Sequence, residues 1–241
     1  MEISYPIRIN KYLAQKNLST RKGADELIKK KLVFINGKLA RLGDQIYEDD
    51  EVTVSKKAQT KSYVYYAYNK PVGISTNPEP KSRDILKTTK FPTKVFPIGR
   101  LDKDSHGLIL MTNDGRVTDR LLSPKYVHEK EYAVKVEPNF TDRFLKLMGN
   151  GVHFDGYLSK KCEVWAVENN KGVRSKNTFR IILTEGKKRQ IRRMCEALHH
   201  KVIDLKRERI MNIKLDKTPQ GRYREIKGKE LDIFLESLQL K

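Results

Sequence analysis

Residues 55–62, S-K-K-A-Q-T-K-S, carry no apolar periodicity of helical or strand type. They follow a short segment with helical spacing and precede a long one rich in strand-favouring residues. One continuous core cannot run through such a stretch. It reads as a linker over 55–62, with a small unit over 1–54 and a larger one over 63–241. The 241 residues suffice for each to bury apolar surface of its own.

In the small unit, R-I-N-K-Y-L-A-Q-K-N spaces Ile9, Tyr12 and Leu13 along one helix face. A second helix follows Ser19 or Thr20 as its N-cap and turns Ala24, Leu27 and Ile28 inward. V-F-I-N-G-K-L-A predicts a hairpin at Asn36-Gly37, and 45–54 a further extended piece. Arg21, Lys22, Lys29, Lys30 and Lys31 cluster around the second helix.

The larger unit opens with Y-V-Y-Y-A-Y-N-K-P-V-G. Tyr63, Tyr65 and Tyr68 fit a strand core better than an RNA-stacking platform, because they occupy both faces ahead of a Pro/Gly turn. Further strands are predicted at 132–136, 161–167, 178–184, 201–205 and 211–215, and helices at 117–122, 142–150, 190–198 and 231–238. Strands outnumber helices and do not alternate with them. The expected class is therefore α+β, with a mixed, largely antiparallel sheet flanked by helices.

Fifty Lys and Arg against thirty Asp and Glu leave a formal charge of +20, which points to a polyanionic partner, nucleic acid foremost. No apolar run approaches the ~20 residues of a membrane span, and no signal-peptide pattern opens the sequence. A cytoplasmic protein is expected. Cys162 and Cys195 are too few for a disulfide framework or a zinc quartet, and adjacent His199 and His200 lack metal-ligand spacing. No metal is assigned.

Chemistry concentrates in residues 99–115, G-R-L-D-K-D-S-H-G-L-I-L-M-T-N-D-G. Asp102, Ser105 and His106 are the residue types of a hydrolytic triad. Triad members converge from separate elements, however, and no G-x-S-x-G elbow is present. As a glycosidase pair, Asp102 and Asp104 would point the same way about 7 Å apart in an extended segment, or diverge in a turn. Asp104, with Ser105, His106 and Gly107, suits turn formation. Asp102 stands at the mouth of an apolar strand, and on the residues alone it is either a capping acid or a reacting one.

The motif G-R-L-D-x-x-S-x-G-L, with N-K-P-x-G at 69–73, E-K-E-Y at 129–132 and E-G-K-K-R-Q-I-R-R-M-C at 185–195, resembles the RNA pseudouridine synthases. The small unit, with Gly43, Asp44, Ile46, Asp50 and Val52, is similar to an S4-type RNA-binding domain. Together they resemble the ribosomal small-subunit pseudouridine synthase A family; L-K-R-E-R-I-M-N at 205–212 looks nearest to its 23S rRNA branch. The resemblance implies isomerisation of uridine to pseudouridine in rRNA, without a cofactor. It implies that Asp102 is the catalytic aspartate, Arg192 its ion-pair partner, and Tyr132 the ring stacked on the target base. Ile191 would pack on the uracil, Arg100 would fill the space left by the flipped base, and Lys70 would support the site or the RNA. Lys187, Lys188, Arg189 and Arg193, with Arg21, Lys22, Lys29 and Lys30, would hold the RNA backbone.

A desolvated aspartate needs a cation to stay charged, which suits an always-charged guanidinium at 192. Alternatives remain: a non-catalytic RNA-binding or ribosome-assembly protein on the same scaffold, or a synthase acting on 16S rRNA or tRNA. A glycoside hydrolase would need a second acid to activate water, and none presents itself. A monomer is the default.

Overall fold

In the computed structural model, which describes residues 3–16, 18–55, 63–78, 80, 82–123 and 125–241, the helical spacing at the N-terminus becomes two short helices among small strands. The order is β1 (Ile7–Arg8), α1 (Ile9–Gln15), α2 (Arg21–Lys29), β2 (Val33–Ile35), β3 (Lys38–Leu39), β4 (Gln45–Ile46) and β5 (Val52–Val54). Thr20 caps α2, its Oγ1 accepting the Gly23 N–H at 2.9 Å. Ile9, Leu13, Ala24 and Ile28 meet Val33, Ala40 and Ile46 in a core of their own. Arg21, Lys22, Lys29 and Lys30 stay exposed.

Asn36 and Gly37 adopt φ of 48° and 76°, as the predicted hairpin requires. The extended piece expected over 45–54 is instead two strands, β4 on β1 and β5 on β2. Asp50 divides it, accepting the Tyr47 N–H at 2.8 Å and Asn36 Nδ2 at 2.7 Å and so folding 47–50 into a turn. Residues 56–62 of the expected linker lie outside the described residues.

The larger unit runs β6 (Tyr65–Lys70), α3 (Ile85–Thr88), β7 (Phe96–Ile98), β8 (His106–Thr112), α4 (Arg116–Leu122), β9 (Lys130–Glu137) and α5 (Asp142–Asn150). It continues with β10 (His153–Phe154), β11 (Tyr157–Leu158), β12 (Glu163–Glu168), β13 (Arg174–Leu183), α6 (Gln190–Ala197), β14 (Lys201–Ile210), β15 (Ile213–Lys214), β16 (Tyr223–Glu225) and α7 (Gly228–Ser237). The main sheet has the order β12-β13-β9-β14-β8-β6-β16, with β7 on β8 and β15 on β14. Only the β14–β8 pair in it is parallel among the described strands. The sheet is thus mixed and largely antiparallel, flanked by helices, as the composition of elements predicts.

Alternation along the strands sorts the core. Val134, Val136, Phe179, Ile181 and Leu205 pack beneath α5 and α6 with Phe144, Met148, Ile191 and Met194. On the other half of the sheet, Tyr66, Tyr68, Ile109 and Met111 pack under the segment holding Ile74, Ile85, Val95 and Leu101. The opposite face of that half carries Tyr65, Ala67, Leu108 and Leu110, covered by α4 and α7. The tyrosines of β6 are therefore core residues on both faces.

Element boundaries shift where charge hides the pattern. β14 runs on to Ile210, beyond the expected 205, because Lys206 and Arg209 sit in the sheet paired with Glu208, Glu129 and Glu131. The strand expected at 211–215 shrinks to β15, since Met211 takes φ 51° and reverses the chain. No helix among the described residues is long and apolar enough to cross a membrane.

Candidate active site

The register of the central strands sets one row across the sheet: Lys70 on β6 faces Gly107 on β8, Gly107 faces Arg207 on β14, and Arg207 faces Tyr132 on β9. Directly paired residues share a face. Gly107 has φ 105°, and a Cβ there would collide with the backbone nitrogen and carbonyl of Arg207, so only glycine lets β14 approach β8. Tyr132 packs against both apolar clusters of this face and stands at the seam between them.

Above the row runs the loop 100–105, every carbonyl of which from 100 to 104 is held. Arg207 Nη1 donates to the Arg100 carbonyl at 3.5 Å. Thr76 Oγ1 donates to the Leu101 carbonyl at 2.8 Å and accepts the Leu101 N–H at 3.1 Å. The Asp102 carbonyl accepts the Ser105 N–H at 3.0 Å, and the Lys103 carbonyl accepts the Gly73 N–H at 2.8 Å. Arg192 Nη2 donates to the Asp104 carbonyl at 2.9 Å. The N-K-P-V-G turn and the Q-I-R helix thus both anchor this loop, though they are far apart in sequence.

Three carboxylates occupy residues 99–115, and two of them are committed. Asp114 is fully buried, held by Arg116 Nε and Nη2 at 2.8 Å each and by the Tyr65 hydroxyl at 2.6 Å. Asp104 is gripped by Arg189 at 3.0 and 2.9 Å and by Arg192 Nε at 3.3 Å. Burial raises the Asp104 carboxyl, but the two guanidinium groups outweigh it and hold the group below its usual range. Among the described residues the Asp102 carboxylate has no hydrogen bond or ion pair, and it is partly open to solvent. The triad types do not converge, because His106 Nε2 turns to Asp204 at 3.0 Å.

The family model for RNA pseudouridylate synthase matches residues 64–197, which include this loop, Tyr132 and Arg192, and the S4 domain model matches 7–52. The chain belongs to the RNA pseudouridine synthases. It is 41% identical to the dual-specificity RNA pseudouridine synthase RluF of Escherichia coli strain K12 over 95% of this chain and 78% of that protein. It is 32% identical to the ribosomal large subunit pseudouridine synthase B of Bacillus subtilis strain 168, over 93% of each. A crystal structure of a pseudouridylate synthase superposes with a TM-score of 0.67 at 27% identity, covering 96% of this chain and 99% of that one.

The pseudouridine synthase places several of the expected residues differently from expectation. Arg192 pairs with Asp104 rather than Asp102, because the turn at 102–105 presents the Asp104 carboxylate and carbonyl to α6. Its other contacts are the Val202 carbonyl at 3.1 Å and Ser105 Oγ at 3.4 Å. Asp104 is an ion-pair acceptor whose carboxylate also engages its own backbone N–H in the turn. Lys70 is fully buried, with its ammonium on the carbonyls of Pro71 and Ile74, so it supports the site from within and cannot reach RNA. Arg193 is tied to Asp155 and lies over Phe154, 5.0 Å from the ring centre. Ile191 is buried in the cluster against which Tyr132 packs.

Arg100, Lys187, Lys188 and Arg189 are exposed, Arg189 on Asp104 of the loop and Lys187 over Tyr157 at 4.6 Å. Glu185 and Arg207 carry structural duties that sequence reading missed. Glu185 accepts the Tyr157 hydroxyl at 2.5 Å, the Lys160 N–H at 3.1 Å and Gln190 Nε2, and so fixes the basic turn that opens α6. The E-G-K-K-R-Q run at 185–190 was the available signal. Nothing in the pattern of β14 distinguishes Arg207 from its basic neighbours.

Proposed function

We propose that the synthase converts uridine to pseudouridine in ribosomal RNA, 23S rRNA being the substrate, with Asp102 as the reacting acid. The observation that carries this reading is that, among the described residues, Asp102 is the one carboxylate in 99–115 without a hydrogen bond or ion pair, in a loop whose carbonyls from 100 to 104 are all held. A rigid backbone with an uncommitted carboxylate is what a reacting group needs. The names of the relatives, one of them a large-subunit enzyme, support an rRNA target.

The reaction breaks the bond from C1′ to N1, turns the uracil, and joins C5 to C1′. An ionised Asp102 serves either as nucleophile at C1′ or as base toward a ribose proton. The target nucleotide must first leave its stack, since C1′ is inaccessible inside a helix. Arg100, exposed beside Asp102, is suited to fill the vacated space, and Tyr132 at the seam of the two clusters is suited to stack on the uracil. Residues 1–54, with Arg21, Lys22, Lys29 and Lys30 exposed, act as an RNA anchor joined through 55–62 to the catalytic unit over 63–241.

Asp102→Asn tests the assignment. Pseudouridine formation in transcribed 23S rRNA is expected to fall below detection, with RNA affinity within about twofold of the parent, a difference under about 0.4 kcal/mol. Turnover by Asp102→Asn would overturn it.

A further inference from the structure

Two buried cations of the synthase form no ion pair among the described residues. Lys70 is fully buried and donates to the carbonyls of Pro71 and Ile74 at 2.9 and 2.8 Å. Arg207 is 4% exposed; its Nε donates to the Leu108 carbonyl at 2.7 Å, and its Nη2 is buried without an acceptor. Burying a charge is costly unless it is paired, and an apolar side chain of similar volume would serve a core better. Stability therefore does not account for this pair.

Their position does. Lys70 and Arg207 occupy one row of the sheet on either side of Gly107, which has no side chain to separate them. Arg207 holds the backbone at the start of the Asp102 loop, at Arg100, and within β8 just beyond it, at Leu108. Lys70 holds the turn whose Gly73 N–H is bonded to Lys103. The charged groups facing the pair are Asp102 and Asp104 of the loop and Lys130 of β9. Asp104 is held by Arg189 and Arg192; both it and Asp102 pull on the Lys70 charge, and Arg189 acts on Asp102 as well.

We propose that Lys70 and Arg207 are positioning residues that form a buried dication beneath the Asp102 loop, fixing the loop and supplying the positive potential that keeps Asp102 reactive once a uridine has displaced its water. The proposal rests on the reading of Asp102 as the reacting acid. It adds a floor of positive charge beneath that acid to the rim charge of Arg189. A low-dielectric setting makes the arrangement effective, because solvent screens neither charge there. Burial pushes the Lys70 ammonium down to about 8, with Asp104 and Asp102 pulling it up and Arg207 adding to the fall. The dication therefore loses one of its charges in mildly alkaline solution.

The test is the single-turnover rate of pseudouridine formation in transcribed 23S rRNA from about pH 5 to 9.5, for the parent, Lys70→Met, Arg207→Met and Arg207→Lys. Both Met variants should bind the RNA within about twofold of the parent, yet react about tenfold more slowly at pH 7, with the acidic limb of the profile moved up by about one unit. Arg207→Lys keeps the charge and should keep the position of the limb. The parent should lose rate above about pH 8, a measurement that stands even where a Met variant does not fold. Acidic limbs unmoved in folded Met variants, or a parent rate flat through about pH 9, would overturn the proposal. Asp102→Asn, run alongside, separates the two claims. Activity in it defeats the reading of Asp102; an inactive Asp102→Asn beside unmoved Met variants defeats the dication alone.

Discussion

Gly107 shows how much a missing methyl group can decide. Its φ of 105° and the closeness of Arg207 leave no room for a Cβ, so Gly107→Ala combines left-handed strain with overpacking against rigid backbone. Each effect costs about 1–3 kcal/mol, and a loss of about 3 kcal/mol or more is expected in urea unfolding. At this scale the motif singled out one acid of the loop but not the contacts that the loop makes. Asp102 was distinguishable from Asp104 by motif position. The partner of Arg192 was not, because two residues of a tight turn exchange places in space with a rotation that sequence does not record. Lys70 was expected to support the site or the RNA, and only the sheet register shows that it points inward, toward the site.

Among the elements, those built on apolar period and a cap were legible and those carrying charge in the sheet were not. α5 begins and ends as predicted, and α2 starts at the Thr20 cap. Thr20→Ala should destabilise the N-terminal unit by about 1 kcal/mol, visible as a lower melting transition of that unit. The length of β14 escaped notice because Lys206, Arg207 and Arg209 break its alternation. Lys206 is answered by Glu208 on β14 itself, Arg209 by glutamates of β9 and its approach, and Arg207 by carbonyls, the last two being information held in the pairing alone. The β10–β11 hairpin was missed because each strand has two residues, too few for any period.

For the whole molecule, the charge of +20 pointed to a polyanion and the order of motifs to a family, while the relation between the two units was not readable. A cavity of about 900 Å³ lies between them, lined by Lys11, Lys16 and Arg21 on one side and Arg116, Arg120 and Lys125 on the other. Replacing Arg21, Lys22, Lys29 and Lys30 together by Ala should weaken RNA binding and flatten its dependence on salt. Each lost phosphate contact lowers the slope of log affinity against log salt by about 0.7–0.9. Filter binding across a salt series measures it, and an unchanged slope would remove the anchor role from that face.

The central place of β14 bears on when such an enzyme can begin to work. β14 is made late, yet it separates β8 from β9 and is hydrogen-bonded to both. A growing chain that has not reached residue 201 holds two half-sheets, each with a raw edge and neither bonded to the other. The Asp102 loop then lacks Arg207, and Tyr132 lies on a different half from Asp102. Until β14 is in place the loop and Tyr132 belong to separate half-sheets, and the row that links them exists only once this one strand has paired with both.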